Sequence, residues 1–363
     1  MKKLTHEGIE KLIPYPPGKP IEELERELGI FGSIKLASNE NPLGPSPLAI
    51  QAIQKSLRSL NRYPDGRGYY LKEKLAGIFG LPENQIIIGN GSNELIELII
   101  RTFLAPTEEV IQAFPTFLVY EKMVTGAGAK IISIPLSNFR LDLTAIRAAI
   151  TPLTKIIFIN NPNNPTGSVL SMDEVSGFLR SIPPDVIVVM DEAYTEFVTD
   201  EKAAKGLDLL KINPSIIVLR TFSKLYGLAG LRVGYGFSTE KIIDYMNRVR
   251  QPFNVNTLAQ VGATAALDDT EFVSKTLKTV RDGLIYLFDE LKKIGLDYLP
   301  TQTNFFLIKV PMGGKKLYDL MLKEGVIVRA MDSYGLKDYI RINVGLPEEN
   351  ERFVEAIKKV LKI

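Results

Sequence analysis

The sequence predicts an α/β protein that ends in a smaller α+β unit. Four continuous apolar runs, each typical of a buried strand, lead directly into turns of small and polar residues. Beyond about residue 294 the pattern changes to short strands alternating with helices. Ligands of open α/β sheets bind where the strands end, so these turns are the first candidates for a functional site. The four runs are residues 86–89, 155–160, 186–190 and 216–219, and the C-terminal unit has strands at 305–310, 326–329 and 339–344 with helices at 316–323 and 347–362.

Composition excludes several classes of function. The 363 residues are 45% apolar and 24% charged, and the net charge of +2 favours neither a nucleic acid nor a membrane surface as a partner. Without cysteine and with one histidine, His6, the chain cannot form disulfides, thiolate or multi-histidine metal sites, or a Ser-His-Asp triad. No apolar run approaches about 18 residues, and the N-terminal Met-Lys-Lys is not followed by an apolar signal core. We therefore expect a cytoplasmic protein without a metal site.

The run 86–89 leads through a glycine turn into an apolar-periodic helix at 94–104. A glycine turn at a helix N-terminus presents free backbone N–H groups and the positive end of the helix dipole. Gly91, Ser92 and Asn93 therefore form a candidate anion site. Any strand-turn-helix unit offers the same groups. The prediction of an anion site here is therefore strengthened only if another segment of the sequence independently indicates a phosphate.

The next two runs also end in polar groups. Residues 161–167, N-P-N-N-P-T-G, form a rigid polar turn after the strand at 155–160. Asp191 follows the strand at 186–190, where a buried carboxylate is costly unless it meets a cation. The alternative is that Asp191 caps a helix.

The run 216–219 delivers Lys224 into a turn rich in small residues and hydroxyls, R-T-F-S-K-L-Y-G-L-A-G-L-R-V-G. Small residues let the backbone approach a ligand closely, and Thr221, Ser223 and Arg232 can satisfy phosphate oxygens. A lysine with its usual pKa of about 10.4 is a poor nucleophile, so burial or a neighbouring cation such as Arg232 must lower that pKa. The pattern suits a reactive amine beside a phosphate, and a plain surface lysine is the alternative.

Two arginines of the C-terminal unit lie on apolar strands, Arg329 and Arg341. A guanidinium among β-branched residues needs an anion nearby. That anion is either a ligand or the carboxylate of an edge-strand salt bridge.

The lysine turn resembles the cofactor-lysine segment of pyridoxal-phosphate aminotransferases of fold type I. Three further segments resemble the histidinol-phosphate aminotransferases within that group: Y-P-P-G-K-P at 15–20 with its acidic helix, K-L-A-S-N-E-N-P-L-G at 35–44, and R-Y-P-D-G at 62–66. The resemblance spans nearly the whole chain, and its motifs occur in the family's order. It implies a large domain with a mostly parallel mixed sheet sandwiched by helices, a smaller C-terminal domain and a homodimer. The divisions expected are an arm at 1–30, the large domain at 31–265 and the small domain at 266–363.

The resemblance also implies how pyridoxal 5′-phosphate is held. Lys224 carries the cofactor, Asp191 faces its ring nitrogen, and Asn164 and Tyr194 contact its phenolic oxygen. Phe117 stacks on the ring where many relatives carry tyrosine, although an aromatic residue at this position also suits a plain core. The phosphate is held by Thr221, Ser223 and Arg232, by the turn Gly91, Ser92 and Asn93, and by Tyr63 of the neighbouring subunit, for which a turn tyrosine with a local hydrogen bond is the alternative.

The implied substrates are L-histidinol phosphate and 2-oxoglutarate, converted reversibly into imidazole-acetol phosphate and L-glutamate in histidine biosynthesis. Arg341, with Arg329 second, would bind the anionic group of the substrate, and Tyr15 and Asn39 would lie at the active-site entrance. An aromatic-amino-acid aminotransferase and a threonine-phosphate decarboxylase are alternatives on the same scaffold. A non-catalytic, ligand-sensing domain is disfavoured, because Lys224 is present and no basic DNA-binding module precedes residue 30.

Overall fold

The computed structural model describes residues 4–14 and 18–363, which form strands and helices in alternation. Among these residues no helix has both the length and the apolar character needed to cross a membrane. The strands are β1 (Ile34–Lys35), β2 (Ile86–Gly89), β3 (Glu109–Phe114), β4 (Lys130–Pro135), β5 (Thr154–Asn160), β6 (Ile187–Asp191), β7 (Ile216–Thr221), β8 (Gly234–Phe237), β9 (Phe305–Lys309), β10 (Val326–Ile327), β11 (Arg329–Ala330) and β12 (Tyr339–Asn343). The helices are α1 (Glu7–Lys11), α2 (Ile21–Leu28), α3 (Pro47–Ser56), α4 (Tyr69–Phe79), α5 (Ser92–Phe103), α6 (Val119–Gly126), α7 (Leu143–Ala148), α8 (Met172–Ser181), α9 (Gly206–Leu209), α10 (Glu240–Val249), α11 (Thr257–Ala266), α12 (Thr270–Lys293), α13 (Gly314–Lys323) and α14 (Pro347–Leu361).

The main sheet has seven strands in the order β2-β8-β7-β6-β5-β3-β4. The pairs from β7 to β4 are parallel, whereas β8 runs antiparallel to both of its neighbours. Carboxyl ends of parallel strands meet at one edge of a sheet, so Phe114, Asn160, Asp191 and Thr221 end at the same edge. This mostly parallel mixed sheet confirms the predicted fold class.

Helices cover both faces of this sheet. Along β5 and β6, successive side chains alternate between two separate apolar cores, as the pleat of a strand requires. Ile157 and Val188 belong to one core, Ile156 and Val189 to the other. Burying a side chain of this size contributes roughly 1.5–3 kcal/mol, so the sheet is fixed from both sides.

A third core joins the C-terminal elements. The sheet β11-β12-β9 packs against α12, α13 and α14. Residues Ile34 and Leu36 belong to this core, and β1 pairs with β10. The segment predicted as one strand at 326–329 is therefore two short strands in different sheets, a correction that arises because β10 turns toward β1 while β11 turns toward β12.

Candidate functional site

A cavity of about 180 Å³ lies at the carboxyl ends of β5, β6 and β7. Its wall is unusually rich in side chains that can bind an anion or transfer a proton. Ten residues predicted from the sequence line it, namely Ser92, Asn93, Phe117, Asn164, Asp191, Tyr194, Thr221, Ser223, Lys224 and Arg232, together with Asn160, Ala193 and Ala229.

Lys224 follows β7 and is partly buried in this wall. Its Nζ donates a hydrogen bond to the carbonyl of Ser38 at 3.3 Å and lies 5.7 Å from the centre of the Tyr194 ring. Burial lowers the pKa of Lys224 to about 8, and the positive charge of Arg341 adds to the shift. The predicted cation Arg232 also contributes, but less than burial and Arg341 do. The structure thus provides an amine that is far less protonated at neutral pH than a surface lysine.

Hydroxyls, a guanidinium and a helix N-terminus converge at one end of the cavity. Helix α5 begins at Ser92, and Gly91 caps it at φ 79° without a side-chain hydrogen bond, which leaves the N–H groups of the first turn available. A Cβ on Gly91 would lie 2.6 Å from Nη2 of Arg232, so only glycine lets the guanidinium approach. Thr221 donates to Ser223 at 2.9 Å, and Arg232 reaches the hydroxyl of Ser223 at 3.5 Å. This combination suits a phosphate group.

Asp191, the last residue of β6, is 2% exposed. It accepts hydrogen bonds from Oη of Tyr120 at 2.6 Å and from the backbone N–H of Ala193 at 3.2 Å. Burial raises the pKa of Asp191 to about 6, while these two bonds oppose the rise. Within residues 4–14 and 18–363 it forms no ion pair, and only a short 3₁₀ turn, Thr195–Phe197, follows it rather than an α-helix. A buried carboxylate of this kind suits a cationic ring nitrogen.

Tyr194 connects the two ends of the cavity through its hydroxyl. Oη accepts hydrogen bonds from Nδ2 of Asn39 at 2.9 Å and from Nδ2 of Asn164 at 3.5 Å. Burial raises the pKa of Tyr194 to about 12, opposed by the charge of Arg341. Oδ1 of Asn164 in turn accepts a hydrogen bond from Arg341 at 2.5 Å. Asn39 and Arg341 therefore belong to the same hydrogen-bonded network as the cavity.

The two predicted arginines lie directly opposite each other on the antiparallel pair β11 and β12. Side chains at opposite positions share one face of a sheet, and like charges there repel each other. Arg341 is 6% exposed, and its Nη2 donates to the carbonyl of Ala37 at 3.0 Å. Among the described carboxylates none pairs with Arg341, so the salt-bridge alternative does not describe this residue. Arg329 and Arg341 therefore lie on the same face of this sheet.

Buried polar atoms close to the cavity residues are suited to binding a ligand. Nε of Arg341, Oδ1 of Asn39 and Oδ1 of Asn304 have no hydrogen-bond partner in the described part of the chain. An unsatisfied buried group costs roughly 1–3 kcal/mol. The wall as a whole fits pyridoxal phosphate: a carboxylate for the ring nitrogen, an amine for the aldehyde, and an anion site for the phosphate.

Besides Asn39 and the two arginines, two predicted residues do not line the cavity, and one is not among the described residues. Tyr63 is 83% exposed and outside the cavity, with its ring stacked on Phe253 at 4.8 Å between centroids. Gly91 contributes backbone behind the wall, and Tyr15 falls outside the described residues. Phe117 lines the cavity and meets the ring of Tyr120 edge-on at 5.6 Å.

Sequence reasoning missed Tyr120 and Asn160. Tyr120 lies on α6, three residues after Phe117, and its partner Asp191 is 71 positions away. No local pattern signals such a bond. Asn160 ends β5 and accepts a hydrogen bond at Oδ1 from the backbone N–H of Asn164 at 2.7 Å, and its position at the end of a buried strand was the one available signal.

Comparison with known proteins agrees with this geometry. Residues 32–357 match the family model described as "Aminotransferase class I and II". The chain is 46% identical to the histidinol-phosphate aminotransferase of Moorella thermoacetica over 98% of this chain and 92% of that protein, and 49% identical to that of Desulfotalea psychrophila over 98% and 95%. A solved histidinol-phosphate aminotransferase of Sinorhizobium meliloti, in complex with pyridoxal-5′-phosphate, superposes with a TM-score of 0.91 at 27% identity and covers 99% of this chain and 98% of that one. The chain therefore belongs to the class I and II aminotransferases, enzymes that use pyridoxal phosphate, and within them to the histidinol-phosphate aminotransferases.

Proposed function

We propose that the enzyme transfers an amino group between L-histidinol phosphate and 2-oxoglutarate, with imidazole-acetol phosphate and L-glutamate as products. The reaction would be a cytoplasmic step of histidine biosynthesis. The observation that carries this proposal is the facing pair Arg329 and Arg341, one of which is hydrogen-bonded to the cavity residue Asn164. Such a pair suits a substrate with a phosphate on its side chain. The names of the relatives at 46% and 49% identity support the same substrate.

The predicted cavity residues and two of their neighbours have proposed parts in holding the cofactor. Lys224 carries pyridoxal phosphate covalently, Asp191 keeps a proton on the ring nitrogen, and Tyr120 orients Asp191. Asn164 and Tyr194 bind the phenolic oxygen, and Phe117 packs on the ring. The phosphate is bound by Gly91, Ser92, Asn93, Thr221, Ser223 and Arg232.

Pyridoxal phosphate, when bound, supplies an electron sink for the charge that develops at the substrate's Cα. Once the substrate's amine has displaced Nζ of Lys224 from the cofactor, the freed Nζ would remove the Cα proton and later return a proton, as general base and acid. Its pKa of about 8 suits both directions, because the neutral and the protonated amine are each populated near neutral pH.

The substrate phosphate would bind between Arg341 and Arg329, and the same guanidiniums would accept the carboxylate of glutamate in the second half-reaction. Asn39 and Tyr15 would close the entrance. We further propose a homodimer in which the exposed Tyr63 reaches the cofactor phosphate of the partner subunit. The division into residues 1–30, 31–265 and 266–363 remains part of this proposal.

A half-reaction screen tests the substrate. Holoenzyme is mixed with L-histidinol phosphate, phenylalanine or threonine phosphate, and the spectrum of the bound cofactor is followed. We expect fast conversion with histidinol phosphate, and faster conversion with either other amine would overturn the proposal.

Arg341→Gln should weaken the apparent affinity for histidinol phosphate about 10- to 100-fold, the effect of one lost hydrogen bond to a charged group. The matched control is Arg140→Gln, at a surface arginine paired with Glu174, which should leave that affinity unchanged.

A further inference from the structure

Tyr63 lies in the turn before α4, and its surroundings fix its ring. The ring stacks on Phe253 with 4.8 Å between centroids and 19° between planes. Its hydroxyl has no hydrogen-bond partner among the described residues. This stacking contact favours one side-chain orientation for a residue that is otherwise 83% exposed, and it leaves the hydroxyl accessible to a group outside the chain.

Phe253 itself is in an unusual backbone conformation. Its φ is 58°, in the left-handed region that a residue with an aromatic side chain rarely adopts. Its ring also covers Gly66, where a Cβ would lie 3.4 Å from Cδ1 of Phe253. Such conformations persist only where surrounding contacts impose them.

Arg250 makes hydrogen bonds to segments on either side of the stacked rings, and all three of its guanidinium nitrogens are used within the described chain. Nη2 donates to the carbonyl of Gly66 at 2.9 Å, Nη1 to Oδ1 of Asn254 at 2.6 Å, and Nε to Oδ1 of Asn247 at 3.1 Å. One guanidinium therefore joins the turn that carries Tyr63 to the segment that carries Phe253. Asn254 is anchored in turn, because its Nδ2 donates to Glu94 of α5 at 2.6 Å.

We infer that Arg250 and Phe253 are positioning residues, which hold Tyr63 in the orientation that binds the cofactor phosphate of the partner subunit. The inference rests on the homodimer proposed above. Neither residue needs to touch the cofactor. Their effect is to remove in advance the rotamer freedom that Tyr63 would otherwise lose on binding the phosphate. The effect of a substitution should therefore be felt in the partner's site and not in the site of the altered chain.

Hybrid dimers distinguish an effect in the partner's site from an effect in the altered chain's own site. One hybrid pairs a wild-type chain with a chain carrying Lys224→Ala and Arg250→Met, so its single lysine site receives Tyr63 from the altered chain. The second pairs a Lys224→Ala chain with an Arg250→Met chain, so its lysine site receives Tyr63 from a chain with Arg250 intact. The readout is the dissociation constant of pyridoxal phosphate at the lysine site, taken from the absorbance of lysine-bound cofactor. The reference hybrid pairs Lys224→Ala with wild type.

We expect the first hybrid to bind the cofactor about 3- to 10-fold more weakly than the reference, a fraction of the effect of losing a hydrogen bond to a charged group. The second hybrid should match the reference within about twofold. Weakening in the second hybrid but not the first would overturn the inference, as would no weakening in either. The matched control is Arg248→Met, which removes an exposed arginine of α10, the helix that ends just before Arg250, where it is paired with Asp244.

Two further substitutions keep the test decisive. If Arg250→Met does not fold, Phe253→Leu in the same arrangements removes the stacked ring and should give the same pattern, whereas Phe253→Tyr should restore reference binding. Tyr63→Phe tests the assembly itself and should weaken binding about 10- to 100-fold only when it lies on the chain opposite the lysine site. If Tyr63→Phe does not weaken binding in this arrangement, Tyr63 does not cross to the partner's site. If Tyr63→Phe weakens binding but substitutions of Arg250 and Phe253 do not, only the positioning role is rejected.

Discussion

Two residues of the cavity, Lys224 and Asp191, are shifted toward their neutral forms. Burial lowers the pKa of Lys224 to about 8 and raises that of Asp191 to about 6. In both cases burial is the largest cause, because low-dielectric surroundings disfavour the charged form. Both side chains can therefore gain or lose a proton close to neutral pH in the folded protein.

The rate at which pyridoxal phosphate attaches to cofactor-free enzyme should follow the titration of Lys224. At pH 7 about a tenth of an amine with a pKa near 8 is neutral. We expect the rate to rise with pH through about 8 and then level off, as measured by stopped-flow absorbance. Arg341→Gln should move the midpoint to higher pH because a nearby positive charge is removed. Glu40→Gln should move it to lower pH because Glu40 raises the pKa of Lys224. Identical midpoints in all three proteins would contradict this electrostatic account.

Asp191→Asn should stabilise the cofactor-free protein at neutral pH. The folded pKa of about 6 exceeds the ordinary value of 3.8, so stability linked to protonated Asp191 is fully present below pH 3.8 and lost as pH rises through 6. Asparagine does not ionise, so the variant avoids that loss. Its free energy of unfolding at pH 7.5 should exceed that of the wild type by at most roughly 3 kcal/mol. Urea unfolding at pH 7.5 and 4.5 measures the difference, which should shrink at the lower pH. Asp185→Asn, an exposed position before β6, is the control and should change neither value by more than about 0.5 kcal/mol. An Asp191→Asn protein no more stable than wild type at pH 7.5 would contradict the assignment.

At the scale of elements, the turn after β7 is packed against the loop that follows β1. Asn41 donates from Nδ2 to the carbonyls of Leu225 at 2.8 Å and Lys224 at 3.3 Å. Gly227 has a φ of 67°, and a Cβ there would lie 2.8 Å from the carbonyl carbon of Gly44. The position of Lys224 thus depends on a close approach that only glycine permits.

Gly227→Ala should destabilise the protein by about 2–4 kcal/mol, since it combines a left-handed backbone with a steric clash. Cofactor affinity should fall as well, because the displaced turn carries Lys224. Chemical unfolding and a cofactor titration measure the two effects. Gly230→Ala is the control three residues further on, with open space around its Cβ, and should cost less than about 0.5 kcal/mol. Equal stability of the two variants would show that the contact with Gly44 is dispensable.

Elements with a continuous apolar run could be predicted from the sequence, and the others could not. The run 216–219 predicts the first four residues of β7, but the strand continues through the polar Arg220 and Thr221 because Thr221 pairs with Gly234. Strand β8 contains two glycines in four residues, which is a poor strand signal. Glycine is nevertheless required there, since a Cβ on Gly234 would lie 2.6 Å from the backbone nitrogen of Ser92. Strand β1 is two residues long, and its partner β10 lies far along the chain.

For the molecule as a whole, the predicted site residues come together because the sheet brings distant strand ends to one edge. The order of the motifs along the chain and their resemblance to a known family identified those residues. The contacts between them could not be predicted from the sequence. The bonds from Tyr120 to Asp191 and from Arg341 to Asn164 join residues 71 and 177 positions apart. Distances of this kind depend on strand order, which no local pattern encodes.

Large apolar side chains are exposed between residues 57 and 70 and at Phe253. Apolar surface concentrated in this way is typical of an interaction site. In the proposed homodimer this surface forms the contact between subunits, so Leu60→Lys should produce monomers, as measured by light scattering, and should weaken cofactor binding if Tyr63 crosses to the partner. Leu153→Lys is the matched control, because Leu60 and Leu153 are 52% and 51% exposed. A Leu60→Lys protein that remains dimeric would place the interface elsewhere.

The single histidine of the chain is fixed at the start of α1, where Nδ1 accepts a hydrogen bond from the N–H of Gly8 at 3.2 Å and Nε2 lies 3.1 Å from the carbonyl of Gly126 on α6. Because the chain has no other histidine, its imidazole resonances in a nuclear magnetic resonance spectrum can be identified without labelling or mutagenesis. Line shape and chemical shift of that one ring would then report, when glutamate (which has no imidazole) is added, whether α1 stays packed on the helix that carries Tyr120.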